Sequence, residues 1–165
     1  MARTDLPQVI PGAILAGGQS RRMGRDKSTM MLDGRPLALH IRDTLHDGGC
    51  RPIVLVGRQP SLLDLGLTVL SNESSRPHPL TGVLATLEYF TGRNVLFCPV
   101  DLPALRPRHI RELLSFGRPC VASANGDLQP LLCVLGPDAL FLVREVLVRN
   151  GPVHSIAEKL PRVEF

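Results

Sequence analysis

Six apolar runs of strand length punctuate the chain, at residues 9–15, 52–56, 67–70, 94–98, 120–124 and 131–135, and most are continuously apolar rather than alternating. An uninterrupted short run is what a strand covered on both faces needs. Between the runs lie stretches of helical spacing. In the first, Pro36 stands at the opening, where its fixed φ suits a first helical turn, Leu37, Ile41, Thr44 and Leu45 follow on one face, and Gly48-Gly49 ends the pattern. Residues 81–90, 107–116 and 137–148 behave similarly. Strands alternating with helices of about ten residues predict an α/β fold of three layers, Rossmann-like, with a mainly parallel sheet and helices on both faces.

One segment departs from this alternation. Residues 71–79, Ser71-Asn72-Glu73-Ser74-Ser75-Arg76-Pro77-His78-Pro79, are polar and proline-rich and lie between a strand and a helix, so they read as a loop. In an open α/β sheet the loops that leave the carboxyl ends of the strands form the ligand crevice. This loop, the turn at Ala16-Gly17-Gly18 and the residues after Cys98 are therefore expected to converge.

Composition bounds the answer. With 165 residues, 44% of them apolar, the chain suits a single domain over residues 1–165 that can bury a core without staples. Its 15 glycines and 15 prolines show no period, and no apolar run reaches the roughly 18 residues of a membrane span. The reading is a soluble, unexported, cytoplasmic protein. Cys50, Cys98, Cys120 and Cys133 form no C-x-x-C pair and are expected to be buried, reduced thiols. Arg supplies nearly all the positive charge, since Lys occurs only at Lys27 and Lys159. A net charge of +4 with five Phe, one Tyr and no Trp suits an anionic small molecule better than a polynucleotide, whose bases need aromatic platforms. No nucleic-acid or membrane partner is expected.

The first loop concentrates the chemistry. Leu15-Ala16-Gly17-Gly18-Gln19-Ser20-Arg21-Arg22-Met23-Gly24-Arg25-Asp26-Lys27 brings three glycines and four cations together directly after a strand. Glycines let backbone N–H groups approach an anion closely, and crowded cations repel one another unless an anion joins them. The chemistry favours phosphate. A Walker A loop does not fit, because Arg25 and Asp26 separate Gly24 from Lys27. A dinucleotide fingerprint does not fit either, because Gly17 and Gly18 are adjacent and the second strand, Ile53-Val54-Leu55-Val56-Gly57-Arg58, ends without an acid.

The segment resembles the first signature of the MobA-type nucleotidyltransferases, roughly L-A-G-G-x-S-x-R-M-G-x-D-K after a strand. The resemblance implies a nucleotidyltransferase fold and, from the family's best-known activity, transfer of GMP from GTP to the terminal phosphate of molybdopterin, with Mg²⁺ and release of pyrophosphate. It implies that Leu15, Ala16 and Gly17 lie along guanine and ribose, Gly18 and Arg22 near the phosphates, and Lys27 against the triphosphate. Related cytidylyltransferases read L-A-A-G, so Gly17 favours guanine, whereas Val56-Gly57-Arg58 lacks the Asn that can read the base. Partners of molybdoenzyme or cofactor-biosynthesis type follow from the same resemblance. The alternatives are a relative using CTP or another phosphate acceptor, and a non-catalytic GTP-binding or cofactor-delivery homologue.

Phe97-Cys98-Pro99-Val100-Asp101-Leu102-Pro103 places an acid just past a buried run, between prolines that stiffen its backbone. Such an Asp can hold a metal or cap the helix expected from Pro107. It matches the family's C-P-x-D-x-P segment, which implies a catalytic, nucleotide-binding and Mg²⁺-binding role for Asp101. Asn72 resembles a position where the family often has an acid that contacts the nucleotide. Pro79-Leu80-Thr81-Gly82 resembles the G-P-L-x-G turn with His78 in place of its first glycine, and Gln129-Pro130-Leu131 resembles an element on the pterin side. The family's N-V/I-N-T-P-E-x-L element is not among these residues, and Asn125 and Asp127 are the nearby polar candidates. His40, His46, His109 and His154 read as helix-surface or structural, and Met23, Met30 and Met31 as packing beneath the first loop.

Overall fold

The elements of the computed structural model, which describes residues 9–16, 30–58, 60–71 and 78–165, follow the expected alternation. In chain order they are β1 (Gly12–Leu15), β2 (Met31–Leu32), β3 (Arg35–Pro36), α1 (Leu37–Gly48), β4 (Ile53–Val56), a 3-10 turn (Pro60–Leu65), β5 (Thr68–Leu70), α2 (Pro79–Tyr89), β6 (Val95–Pro99), α3 (Pro107–Ser115), β7 (Cys120–Ala124), β8 (Asp127–Leu135), α4 (Ala139–Val148), α5 (His154–Ala157) and β9 (Arg162–Glu164). None of the described helices is long and apolar enough to cross a membrane.

Seven strands form one sheet in the order β5-β4-β1-β6-β8-β7-β9. β1 lies parallel between β4 and β6, with Gly12 level with Ile53 and Leu96 and Leu15 level with Val56 and Pro99. The pairs β4–β5 and β7–β9 are also parallel, while β8 runs against both β6 and β7. The reversal has a local cause. β7 and β8 are joined by Asn125-Gly126, both at positive φ (53° and 84°), the two-residue turn whose twist matches antiparallel strands. Asp33-Gly34, with φ of 50° and 76°, closes the small β2–β3 ribbon in the same way.

Alternate residues of each strand face opposite layers. Ile14, Leu55, Leu96 and Cys98 meet Ala38, Ile41 and Leu45 of α1 and Ile110 and Leu113 of α3. Ala13, Leu15, Val54, Val56 and Phe97 meet Leu80, Val83 and Leu87 of α2 and Val143 and Val146 of α4. Each fully buried Leu, Ile or Phe contributes about 1.5–3 kcal/mol relative to exposure, which is why the continuous apolar runs settle at the centre. The four cysteines are free and buried in these layers.

The Gly48-Gly49 pair serves two purposes. A Cβ on Gly48 would stand 2.4 Å from Ile110 Cβ, so its absence sets how closely α1 approaches α3. Gly49, at φ 109°, ends α1 in the left-handed conformation, with its N–H on His46 O and that of Cys50 on Leu45 O. Some boundaries differ from the apolar pattern: Pro36 is the N-cap of α1 rather than its first turn, and α2 starts two residues earlier, at Pro79. Met30 and Met31 are exposed, 38% and 62%, rather than packed away, because Met31 belongs to a two-stranded ribbon outside the main sheet.

Candidate functional site

The topology defines a crevice. From β1 the chain steps outward through α1 to β4 and β5, then returns through α2 to β6 on the other side of β1, so the strand order reverses between β1 and β6. Ligands of open α/β sheets bind at such a reversal, beyond the carboxyl ends. Here those ends are tied flush. Ala16 N–H donates to Val56 O (2.8 Å), Val100 N–H to Leu15 O (3.2 Å) and Gly57 N–H to Leu70 O (3.1 Å).

Asp101 follows two residues after the Leu15–Pro99 register pair, at the edge of this reversal, and is exposed. The helix-capping alternative fails, because α3 begins at Pro107 with Arg106 as N-cap. The acceptor at that helix start is His109 Nδ1, which takes the Arg106 N–H (3.1 Å) while its ring stacks on Phe165 with centroids 4.8 Å apart. The structure thus brings Asp101 together with Leu15 and Ala16. The two apolar side chains are buried, at 8% and 4% exposure, so what they can offer a ligand is main chain. Gly17, Gly18, Arg22, Lys27 and Asn72 lie outside the described residues.

His78 is a contributor that the apolar pattern did not single out. It is the N-cap of α2: its Nδ1 accepts the Leu80 N–H (3.1 Å) and its Nε2 donates to Gly151 O (3.0 Å), which fixes the proton on Nε2. Its backbone oxygen accepts both the Thr81 N–H (3.0 Å) and the Thr81 hydroxyl (2.7 Å). Pro79 has no N–H, so the leading donors of α2 are all accounted for within the chain. A His-Pro pair ahead of an apolar helical run was the available sequence signal.

Gln129 reaches the same edge through an irregularity. Val121 pairs with Cys133 but Ala122 pairs with Gln129, so β8 carries extra residues here, including Pro130, which cannot donate to a ladder. Because β8 runs against β6, its beginning lies toward the end of β6 that leads to Asp101. Asn125 is committed to the hairpin turn, and Asp127 is exposed opposite Ala124. Among the described residues no three His, Cys, Asp or Glu side chains cluster as metal ligands. Cys98, beneath Asp101 on β6, is pushed far above the usual thiol range by burial, reinforced by Cys50, Asp101 and Cys133. Burial pushes Cys50 up to about 12 against the opposing Arg51 charge. Neither thiol supplies a thiolate nucleophile.

The model of the MobA-like NTP transferase domain matches residues 12–163. A molybdenum cofactor guanylyltransferase of Cereibacter sphaeroides is 36% identical over 138 residues, covering 78% of this chain and 69% of the relative. A protein of Opitutus terrae named "Probable molybdenum cofactor guanylyltransferase" is 31% identical over 148 residues, covering 86% of this chain and 73% of its own length. Among solved structures, molybdopterin-guanine dinucleotide biosynthesis protein A of Archaeoglobus fulgidus superposes with a TM-score of 0.75 at 18% identity, covering 94% of this chain and 83% of that one, and so shares the fold. The chain belongs to the MobA-like NTP transferase family.

Proposed function

We propose that this chain is a molybdenum cofactor guanylyltransferase, moving GMP from GTP onto the terminal phosphate of molybdopterin with release of pyrophosphate. The relatives named as guanylyltransferases support the activity. The observation that carries the site is the reversal between β1 and β6, where Ala16 follows the end of β1 and Asp101 lies two residues past the end of β6. A terminal phosphate oxygen of the acceptor forms a bond to the α-phosphorus while the bond from that phosphorus to the bridging oxygen of pyrophosphate breaks. The nucleophile arrives ionised, so the chain's contribution is positioning and charge. Backbone at Leu15 and Ala16, with Gly17 and Gly18, would line base and ribose. Arg22 and Lys27 would face the phosphates, and Asn72 would hydrogen-bond to the nucleotide. These roles rest on the family resemblance.

Asp101 is the residue that would hold Mg²⁺. The donor chemistry fits: an exposed hard oxygen ligand at the edge, without a cage of further ligands among the described residues, suits a cation that keeps several waters and binds one or two carboxylates plus substrate phosphates. When bound, the ion supplies charge neutralisation to the phosphates. Molybdoenzymes or other cofactor-handling proteins would receive the product.

Pyrophosphate release measured with each of the four nucleoside triphosphates, with and without molybdopterin, tests the reading. Release that needs GTP and molybdopterin together is the expected result; preference for CTP or another acceptor would replace it. Asp101→Ala should reduce turnover by at least about 100-fold with unchanged unfolding, and near-normal transfer by that variant would remove Asp101 from the site.

A further inference from the structure

The two strands that flank β1 each lead to a charged residue at the same distance past the edge of the sheet. Arg58 lies two residues beyond Val56 of β4, as Asp101 lies two residues beyond Pro99 of β6, and both Val56 and Pro99 are level with Leu15. Gly57 in between is buried, has no side chain and donates its N–H to Leu70 O (3.1 Å). The first side chain past the end of β4 is therefore that of Arg58, which is exposed. Among the described residues within two positions of the ends of β1, β4, β5 and β6 on the crevice side, Arg58 is the one cation.

This placement bears on the base. β4 and β6 are two strand spacings apart, about 10 Å, a span that a nucleotide can cover between its base and its phosphates. If, as the guanylyltransferase reading on which this rests holds, the phosphates and their cation lie at Asp101, a nucleotide laid across the end of β1 brings its base over the end of β4. Arg58 suits one base there. Its guanidinium carries donors in a fixed fork and no acceptor. Guanine presents O6 and N7, two acceptors side by side, which such a fork meets with two parallel hydrogen bonds; adenine sets an amino donor beside N7, and the pyrimidines have no N7 at all. We propose that Arg58 is the residue that selects guanine, through paired hydrogen bonds from its guanidinium to O6 and N7. It supplies from the end of β4 the base contact for which Val56-Gly57-Arg58 has no Asn.

Calorimetric titration with Mg²⁺ and GTP, 7-deaza-GTP, ATP or CTP tests this without the acceptor. The parent protein should bind GTP about tenfold or more tightly than 7-deaza-GTP, which has a carbon in place of N7. Arg58→Ala should weaken GTP binding by about 10–100-fold and bind GTP and 7-deaza-GTP alike, with thermal unfolding unchanged. Arg58→Lys, which keeps the charge but not the fork, should also lose most of the preference for GTP. A parent that prefers GTP to ATP and CTP yet binds 7-deaza-GTP equally well, a preference that survives both variants, or a loss shared equally by all four nucleotides, as a phosphate-binding cation would give, overturns the proposal and leaves the guanylyltransferase reading standing. A parent that prefers CTP, or binds every nucleotide alike, overturns that reading and the role of Arg58 with it.

Discussion

Both ring nitrogens of His78 are committed, one to the first turn of α2 and one to Gly151, so a single side chain caps a helix and ties it to the turn after α4. His78→Ala should lower stability by about 1 kcal/mol in urea unfolding, the usual loss for a cap, and His78→Asn should recover part of it because its side-chain oxygen can still accept the Leu80 N–H. His109 makes a different prediction. Its imidazole is held below the ordinary value of 6.5, first by burial and then by Arg108 and Arg106, with Glu112 opposing. The folded state therefore binds fewer protons than the unfolded chain as pH falls through that region. The contribution of neutral His109 is fully present above about pH 6.5 and is lost as pH falls toward its depressed value; His109→Gln should flatten that part of the stability–pH curve. The position of Asp101, just past β6, was readable in sequence because a buried apolar run ends just before it between prolines. The two caps were not, because a histidine accepts at Nδ1 only in one tautomer, which packing decides.

At the scale of elements, Gly48 and the hairpins decide how the pieces meet. Gly48→Ala gains about 1 kcal/mol of helix propensity but drives a Cβ to 2.4 Å from Ile110 Cβ, and overpacking of this kind costs about 1–3 kcal/mol. Denaturant unfolding should show net destabilisation. Gly126→Ala should cost about 1–2 kcal/mol, since an L side chain is strained at φ 84°. Continuous apolar runs located the six expected strands of the sheet and the four long helices to within a few residues, because burial on two faces leaves that trace. Direction and register left a fainter one. Asn125-Gly126 and Asp33-Gly34 are signatures of tight antiparallel turns, and they determine both the reversed β8 and the β2–β3 ribbon, yet neither alters the apolar pattern. The short β9 was missed because only Val163 of its three residues is apolar.

For the molecule as a whole, burial predicts a chemically quiet interior. Cys50, Cys98, Cys120 and Cys133 should resist an aromatic disulfide reagent in the native protein and all react after unfolding, so the modification rate reports opening of the core. The position of β1 has a further consequence, for synthesis. Its innermost partner, Leu96–Pro99, emerges about 80 residues after Gly12, on the order of 4–16 s later at ordinary elongation rates. Until then the nascent chain holds an apolar segment with at least one open hydrogen-bonding edge. Pausing of the ribosome ahead of residue 96 would prolong that exposure, whereas pausing beyond residue 135 would not.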